Sequence, residues 1–228
     1  MLTSLLRLFY PHCCDACGHS LSPKEQVLCL RCSLKLPYTN FQSIEENPVM
    51  RIFYGRLKLH AAMSTYYFKK QSMLQHLIHQ FKYNDRKDIA LYFGYQMGLL
   101  LSKEKHWQPI DVIVPVPLHP SKLKLRGYNQ AAQLAEGISK VLGKPVLAKV
   151  LQRNSFTLTQ THKSRSDRWE NVSKVFAVRD VNAIKGKHVL LIDDVITTGA
   201  TLEACGLALL QQGASLLSIA SLAYTTAR

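Results

Sequence analysis

Four cysteines near the amino terminus and nine residues near the carboxyl terminus carry the groups best suited to chemistry in this chain. Cys14-x-x-Cys17 is followed, after 11 intervening residues, by Cys29-x-x-Cys32. Each pair forms a tight knuckle that aims two thiolates at one point, and two knuckles flanking a short loop suit a tetrahedral zinc ion. Two disulfides or two redox-active dithiols are the other readings of this spacing. A reducing compartment disfavours the first, and neither pair opens a helix in a βαβ unit as a thioredoxin-like motif requires. Gly18 suits the positive φ of the first knuckle. His12 and Cys13 are possible substitute ligands, with Cys13 replacing Cys14. Cys205 stands alone and reads as a small buried helix residue.

The second constellation is Asp193-Asp194-Val195-Ile196-Thr197-Thr198-Gly199-Ala200-Thr201. It follows the apolar run HVLLI and precedes a helical pattern, giving a strand, a small polar loop and a helix start. Backbone N–H groups and the helix dipole converge at such a point and suit a phosphate. Thr197, Thr198 and Thr201 add hydroxyl donors, and Gly199 permits close approach of the backbone to an anion. The two carboxylates are wrong for direct phosphate contact but suited to hydroxyl groups or a hydrated Mg²⁺. A monophosphate joined to a diol, that is a sugar phosphate, fits this layout. The lysine of a GxxxxGK[ST] loop and the GxGxxG of a dinucleotide fold are both missing.

The elements that must hold these residues follow from periodicity. Residues 61–68 read as a strand, and Ser72 caps a helix with Leu74, Leu77, Ile78 and Phe81 on one face. Asp85 is expected to cap a second helix running to about Ser102. Residues 111–116 form a buried strand, 129–142 a helix begun at Asn129 and closed by Gly143, and 188–192 the strongest buried strand. Residues 145–151 and 175–178 are short strand candidates, 200–212 a helix and 216–223 the last strand. Strands alternating with helices predict a mostly parallel sheet flanked by helices, which binds ligands at the carboxyl ends of its strands. Residues 1–40 then form the metal module, 41–60 a turn-prone connector and 61–228 the α/β body.

Composition narrows the function classes. With 228 residues and 47% hydrophobic content, the chain is no wholly disordered polypeptide. Lys and Arg number 29 against 15 Asp and Glu, a formal charge of +14 that favours anionic partners. No apolar run approaches the roughly 18 residues of a membrane span. The initial apolar stretch is broken by Arg7 and lacks a small-residue cleavage site, so a cytoplasmic location is expected. Aromatic residues beside lysines, in Tyr66-Tyr67-Phe68-Lys69-Lys70 and Phe81-Lys82-Tyr83, are capable of stacking on bases, but their strand and helix settings favour core packing.

The loop 193–201 resembles the phosphoribosyl-diphosphate-binding loop of type I phosphoribosyltransferases, and its union with a double-CxxC module resembles the ComF family, linked in bacteria to competence and DNA uptake. Val114-Pro115-Val116-Pro117-Leu118-His119, Arg126-Gly127-Tyr128-Asn129-Gln130, and Gln160-Thr161 with Arg165 through Asn171 also match that family. The resemblance implies a type I phosphoribosyltransferase-like fold and displacement of diphosphate, with Mg²⁺, at C1 of a ribose. It implies that Thr197, Thr198, Gly199, Ala200 and Thr201 hold the 5′-phosphate while Asp193 and Asp194 meet the ribose hydroxyls. Val116 and Pro117 would belong to the diphosphate loop, Arg126 with Lys122 and Lys124 would neutralise the diphosphate, and Lys163 and Arg165 would ride on a closing loop. The partners implied are phosphoribosyl diphosphate, single-stranded DNA and competence proteins. A binder or scaffold of DNA import that keeps the sugar-phosphate site without turnover fits the same residues.

Overall fold

The computed structural model describes residues 12–154 and 175–226. Four parallel strands form its main sheet: β1 (Ala61–Tyr67), β2 (Val112–Pro115), β5 (His188–Ile196) and β6 (Leu216–Tyr224), in the order β1-β6-β5-β2. Two further short strands, β3 (Leu151–Arg153) and β4 (Phe176–Val178), pair antiparallel apart from it. The helices are α1 (Leu30–Leu34), α2 (Pro48–Ile52), α3 (Met73–Tyr83), α4 (Lys87–Ser102), α5 (Pro120–Arg126), α6 (Gln130–Leu142) and α7 (Ala200–Gln211). Among the described residues no helix is long and apolar enough to cross a membrane.

The predicted α/β pattern is present, and local chemistry explains it. Strands β2, β5 and β6 read as continuous apolar runs because helices cover both faces of a parallel sheet. The Ser72 hydroxyl accepts the Gln75 N–H at 3.2 Å and starts α3, burying Leu74, Leu77, Ile78 and Phe81. The Asn129 carboxamide oxygen accepts the Ala131 N–H at 3.0 Å and starts α6, which Gly143 closes at φ 67°. Helix α6 lies over β2 and β5 and packs closely on α4, whereas α7 meets β4 and β6. An added Cβ at Gly94 would lie 2.1 Å from the Leu134 carbonyl oxygen, and one at Gly137 would lie 2.4 Å from that of Leu91, so glycine is what lets α4 and α6 approach.

Several expected elements differ. Asp85 does not cap α4: it takes a positive φ of 53°, its carbonyl accepts the Lys87 N–H, its carboxylate pairs with Lys87 at 3.0 Å, and Arg86 occupies the cap. Residues 145–151 contribute a single parallel bridge, Val146 to Ile113, before the chain turns into β3. Strand β5 continues four residues beyond its apolar run because β6 keeps pairing with it, Asp193 with Ser221 and Ile196 with Tyr224. The basic stretch 122–126 lies within the short helix α5. Residues 41–60, expected as a connector, deliver Phe41, Val49, Phe53 and Leu57 to the same hydrophobic core as the sheet. Asn47 is 1% exposed there, and its Nδ2 donates to the carbonyls of Ala62 at 2.7 Å and Ile44 at 2.8 Å while its oxygen caps α2.

Candidate phosphate and diol site

Sheet topology fixes where a ligand can sit. From β2 the chain passes through α6 to Val146 on the outer edge of β2, whereas from β5 it passes through α7 to β6 on the other side. The order therefore reverses between β2 and β5, and the crevice at the carboxyl ends of those two strands is the topological switch point where such sheets bind ligands.

Asp193 and Asp194 lie at that end of β5. Successive strand residues point to opposite faces. Asp194 meets Lys82 from α3, with Nζ 2.6 Å from Oδ2, and both side chains are largely shielded from solvent. Burial, then the Asp193 charge, hold the Cys205 thiol of α7 far above the usual range. The Asp193 Oδ1 accepts the Asp194 N–H at 2.9 Å. Burial, then the neighbouring Asp194 carboxylate, push Asp193 up to about 7 against the opposing pull of that N–H and of Lys82.

The loop continues through exposed Thr197 and Thr198 to Gly199, which caps α7 at φ 74°. Ala200 is exposed and Thr201 half-buried, so the start of α7 is open to solvent. The Thr198 hydroxyl accepts the Ala200 N–H at 3.4 Å. Gly199 itself is buried, and an added Cβ would come within 2.8 Å of Ile52 and 3.0 Å of Phe53. Close approach at Gly199 is thus to the side chains at the end of α2, where the sequence suggests approach to an anion. Arg56 reaches the loop from that same region: its Nη1 donates to the Thr198 carbonyl at 3.3 Å and to the Ile52 carbonyl at 3.2 Å, and it pairs with Glu203.

On the β2 side, Val116 is buried, its N–H donates to the Ile192 carbonyl at 2.8 Å, and its carbonyl accepts from Asn129 Nδ2 at 3.0 Å. Pro117 has no N–H. Neither Val116 nor Pro117 therefore has a free backbone N–H to offer a ligand. Arg126 ends α5 with Nη1 on Gln130 at 3.0 Å and Nη2 on the Tyr83 hydroxyl at 3.3 Å, its guanidinium 5.2 Å from the Tyr83 ring centre. It thus reaches the same end of α3 that carries Lys82. Lys163 and Arg165 lie outside the described residues, as do Gln160, Thr161 and the 165–171 segment.

Lys82 and Arg56 are the residues that sequence reasoning missed as site components. Lys82 sits in a run read for stacking, and of its neighbours Phe81 is fully buried while Tyr83 is half-exposed against Arg126 and His79. Arg56 lies 142 positions from Thr198, with no local signal.

At the other constellation, Cys14, Cys17, Cys29 and Cys32 place their sulfurs within 4.8 Å of one another. The Cys17 and Cys29 sulfurs are 3.8 Å apart, about the edge of a tetrahedron with Zn–S bonds of about 2.3 Å. The donor set therefore fits a tetrahedral metal. Gly18 turns the first knuckle at φ 73°, and its N–H donates to the Cys14 carbonyl at 2.8 Å. Burial raises the Cys14 thiol, but N–H groups of Cys29, Ala16 and Cys17 outweigh it and bring the group to about 7. His12 and Cys13 lie outside the quartet. Asp15, inside the first knuckle, pairs with Arg86 at the start of α4.

Comparison with known proteins bears on the family and the fold. The phosphoribosyl transferase domain family matches residues 129–228, from the cap of α6 to the chain end. Competence protein F of Haemophilus influenzae is 34% identical over 131 residues, a match covering 56% of this chain and 57% of that protein, little more than half its length. DNA utilization protein YhgH of Escherichia coli is 32% identical over 158 residues, 67% of each chain. The chain belongs to the ComF family. Its ComF architecture is a type I phosphoribosyltransferase-like sheet with an amino-terminal cysteine cluster. A glutamine phosphoribosylpyrophosphate amidotransferase from B. subtilis superposes with a TM-score of 0.44 at 20% identity, covering 63% of this ComF chain and 30% of that one.

Proposed function

We propose that the crevice between β2 and β5 binds phosphoribosyl diphosphate and that the protein is a phosphoribosyltransferase acting in competence-associated DNA uptake. The observation carrying this reading is the adjacency, at the switch point, of the Asp193–Asp194 pair and the open start of α7. Thr197, Thr198, Gly199, Ala200 and Thr201 receive the 5′-phosphate through N–H and hydroxyl donors. Asp193 and Asp194 orient the ribose hydroxyls and favour the positive charge that develops on the ring. Val116 and Pro117 wall off the diphosphate and Arg126 supplies charge beside it, and Lys163 and Arg165 are assigned to substrate binding from the sequence alone. Mg²⁺, when bound through ligand oxygens and water near the carboxylates, neutralises the leaving diphosphate. Catalysis here is positioning and electrostatics, and no covalent nucleophile is required. The cysteine quartet holds a structural zinc ion, and the protein works in the cytoplasm.

The names of the relatives concern DNA and competence, and the net charge of +14 suits contact with single-stranded DNA or a competence protein. Those names support a second reading, in which the same pocket binds its ligand without turnover. Calorimetric titration of phosphoribosyl diphosphate with Mg²⁺, in phosphate-free buffer, tests the site. The wild-type protein binds, and the Asp193→Asn/Asp194→Asn variant loses at least about tenfold in affinity. Absence of binding at millimolar ligand rejects the site, and release of diphosphate across an acceptor screen separates transferase from binder.

A further inference from the structure

Two carboxylates one residue apart at the end of β5 differ in what faces them. Asp193 accepts a backbone N–H, that of Asp194, at 2.9 Å. Asp194 has a fixed cation, Lys82, delivered by a helix far from it in sequence. The two side chains of that pair are 18% and 17% exposed, so their contact is not an ordinary surface pair screened by water.

The end of α3 that presents Lys82 is held from several directions. Phe81, its neighbour, is fully buried. The Tyr128 hydroxyl donates to the Phe81 carbonyl, and Arg126 covers the Tyr83 ring. Lys82 thus arrives at Asp194 on a fixed support. Its ammonium engages Oδ2 and so restrains the carboxylate, whose remaining lone pairs can still accept from a hydroxyl.

We propose that Lys82 is a positioning residue of the diol site, acting through Asp194, so that the site selects a ribosyl over a deoxyribosyl phosphate. This rests on the phosphoribosyl reading above. Lys82 is not assigned a contact with the ligand; its effect is confined to the hydroxyl that Asp194 receives.

The test is calorimetric titration of ribose 5-phosphate and 2-deoxyribose 5-phosphate into the full chain and its K82R, K82M and D194N variants. The wild-type protein prefers the ribose compound. K82M loses about tenfold on ribose 5-phosphate and little on the deoxy compound, because this proposal gives Asp194 the 2-hydroxyl, which the deoxy compound lacks while it keeps the 3-hydroxyl. K82R retains most of the preference, and K82M adds nothing in a D194N background. An equal loss on both ligands assigns Lys82 to the phosphate or to the fold and overturns the proposal, as does a K82M variant that keeps the preference. K82Q read against K82R carries the same comparison if K82M does not fold. Failure of the wild-type protein to bind either sugar phosphate overturns the phosphoribosyl reading itself, whereas wild-type binding with an indifferent K82M overturns this inference alone.

Discussion

Asp193 is where folding and site chemistry conflict most directly. Its carboxyl group lies in a poorly solvated corner beside a second carboxylate, and both effects favour the protonated form. The folded chain therefore holds a proton there that the unfolded chain releases near the ordinary Asp range. Stability falls as pH rises from about 4 to about 7, and the full cost is present above that window. Asp193→Asn keeps an oxygen to accept the Asp194 N–H and removes the charge. Urea unfolding at pH 5 and at pH 8 checks the sign: the variant gains on the wild type at the higher pH by on the order of 1–2 kcal/mol, and an unchanged difference refutes the assignment. On the proposed function the same substitution weakens ligand binding, and the position then trades stability for function.

At the scale of elements, the contact between α4 and α6 sets the geometry of the crevice, because α6 carries the Asn129 side chain that ties down Val116. That contact depends on Gly94 and Gly137, each facing backbone of the other helix. Gly94→Ala forces a Cβ against a carbonyl oxygen, a clash that a rigid helix relieves only by moving apart. The expected cost is about 3 kcal/mol, or a Tm lower by roughly 6–12 °C for a chain of this size. Gly98→Ala comes no nearer than 2.9 Å, to the Val141 Cβ, a milder overlap than the 2.1 Å at Gly94, so its melting temperature falls less. Thermal melts of the two variants side by side test the ranking, and equal effects contradict it. Helix propensity alone predicts the opposite sign for both, since alanine favours a helix over glycine.

Across the whole molecule, the cysteine module and the α/β body share one core. Cys14, Cys29 and Cys32 belong to the buried cluster that also contains Phe41, Phe93 and Ile192, and Asp15 of the first knuckle is clamped to Arg86 at the head of α4. On the proposed zinc site, loss of the metal is expected to weaken the body as well as the module. Purified protein is expected to release about one zinc per chain to a mercurial, with a chromogenic chelator as readout. Cys32→Ser is expected to lower the melting temperature of the whole chain in a single transition, by roughly 5 °C or more. Two separate transitions, or no change, would show that the module folds on its own.

What sequence by itself determined here is what depends on short-range pattern. Each CxxC knuckle, the Ser72 and Asn129 caps, the apolar runs of β2, β5 and β6, and the strand-to-helix turn at Asp193–Thr201 all declare their local geometry within about a dozen residues, because knuckles, caps and turns are short-range features. The tertiary structure alone decided what crosses long separations. Lys82 at Asp194, Arg56 at Thr198 and Asp15 at Arg86 have no local signature, since a charged side chain finds its partner only when packing brings the elements together. The end of β5 and the burial of Asn47 belong to the same class. A strand stops where its partner's ladder stops, not where its apolar residues do, and a polar turn residue enters a core once its hydrogen bonds are satisfied there.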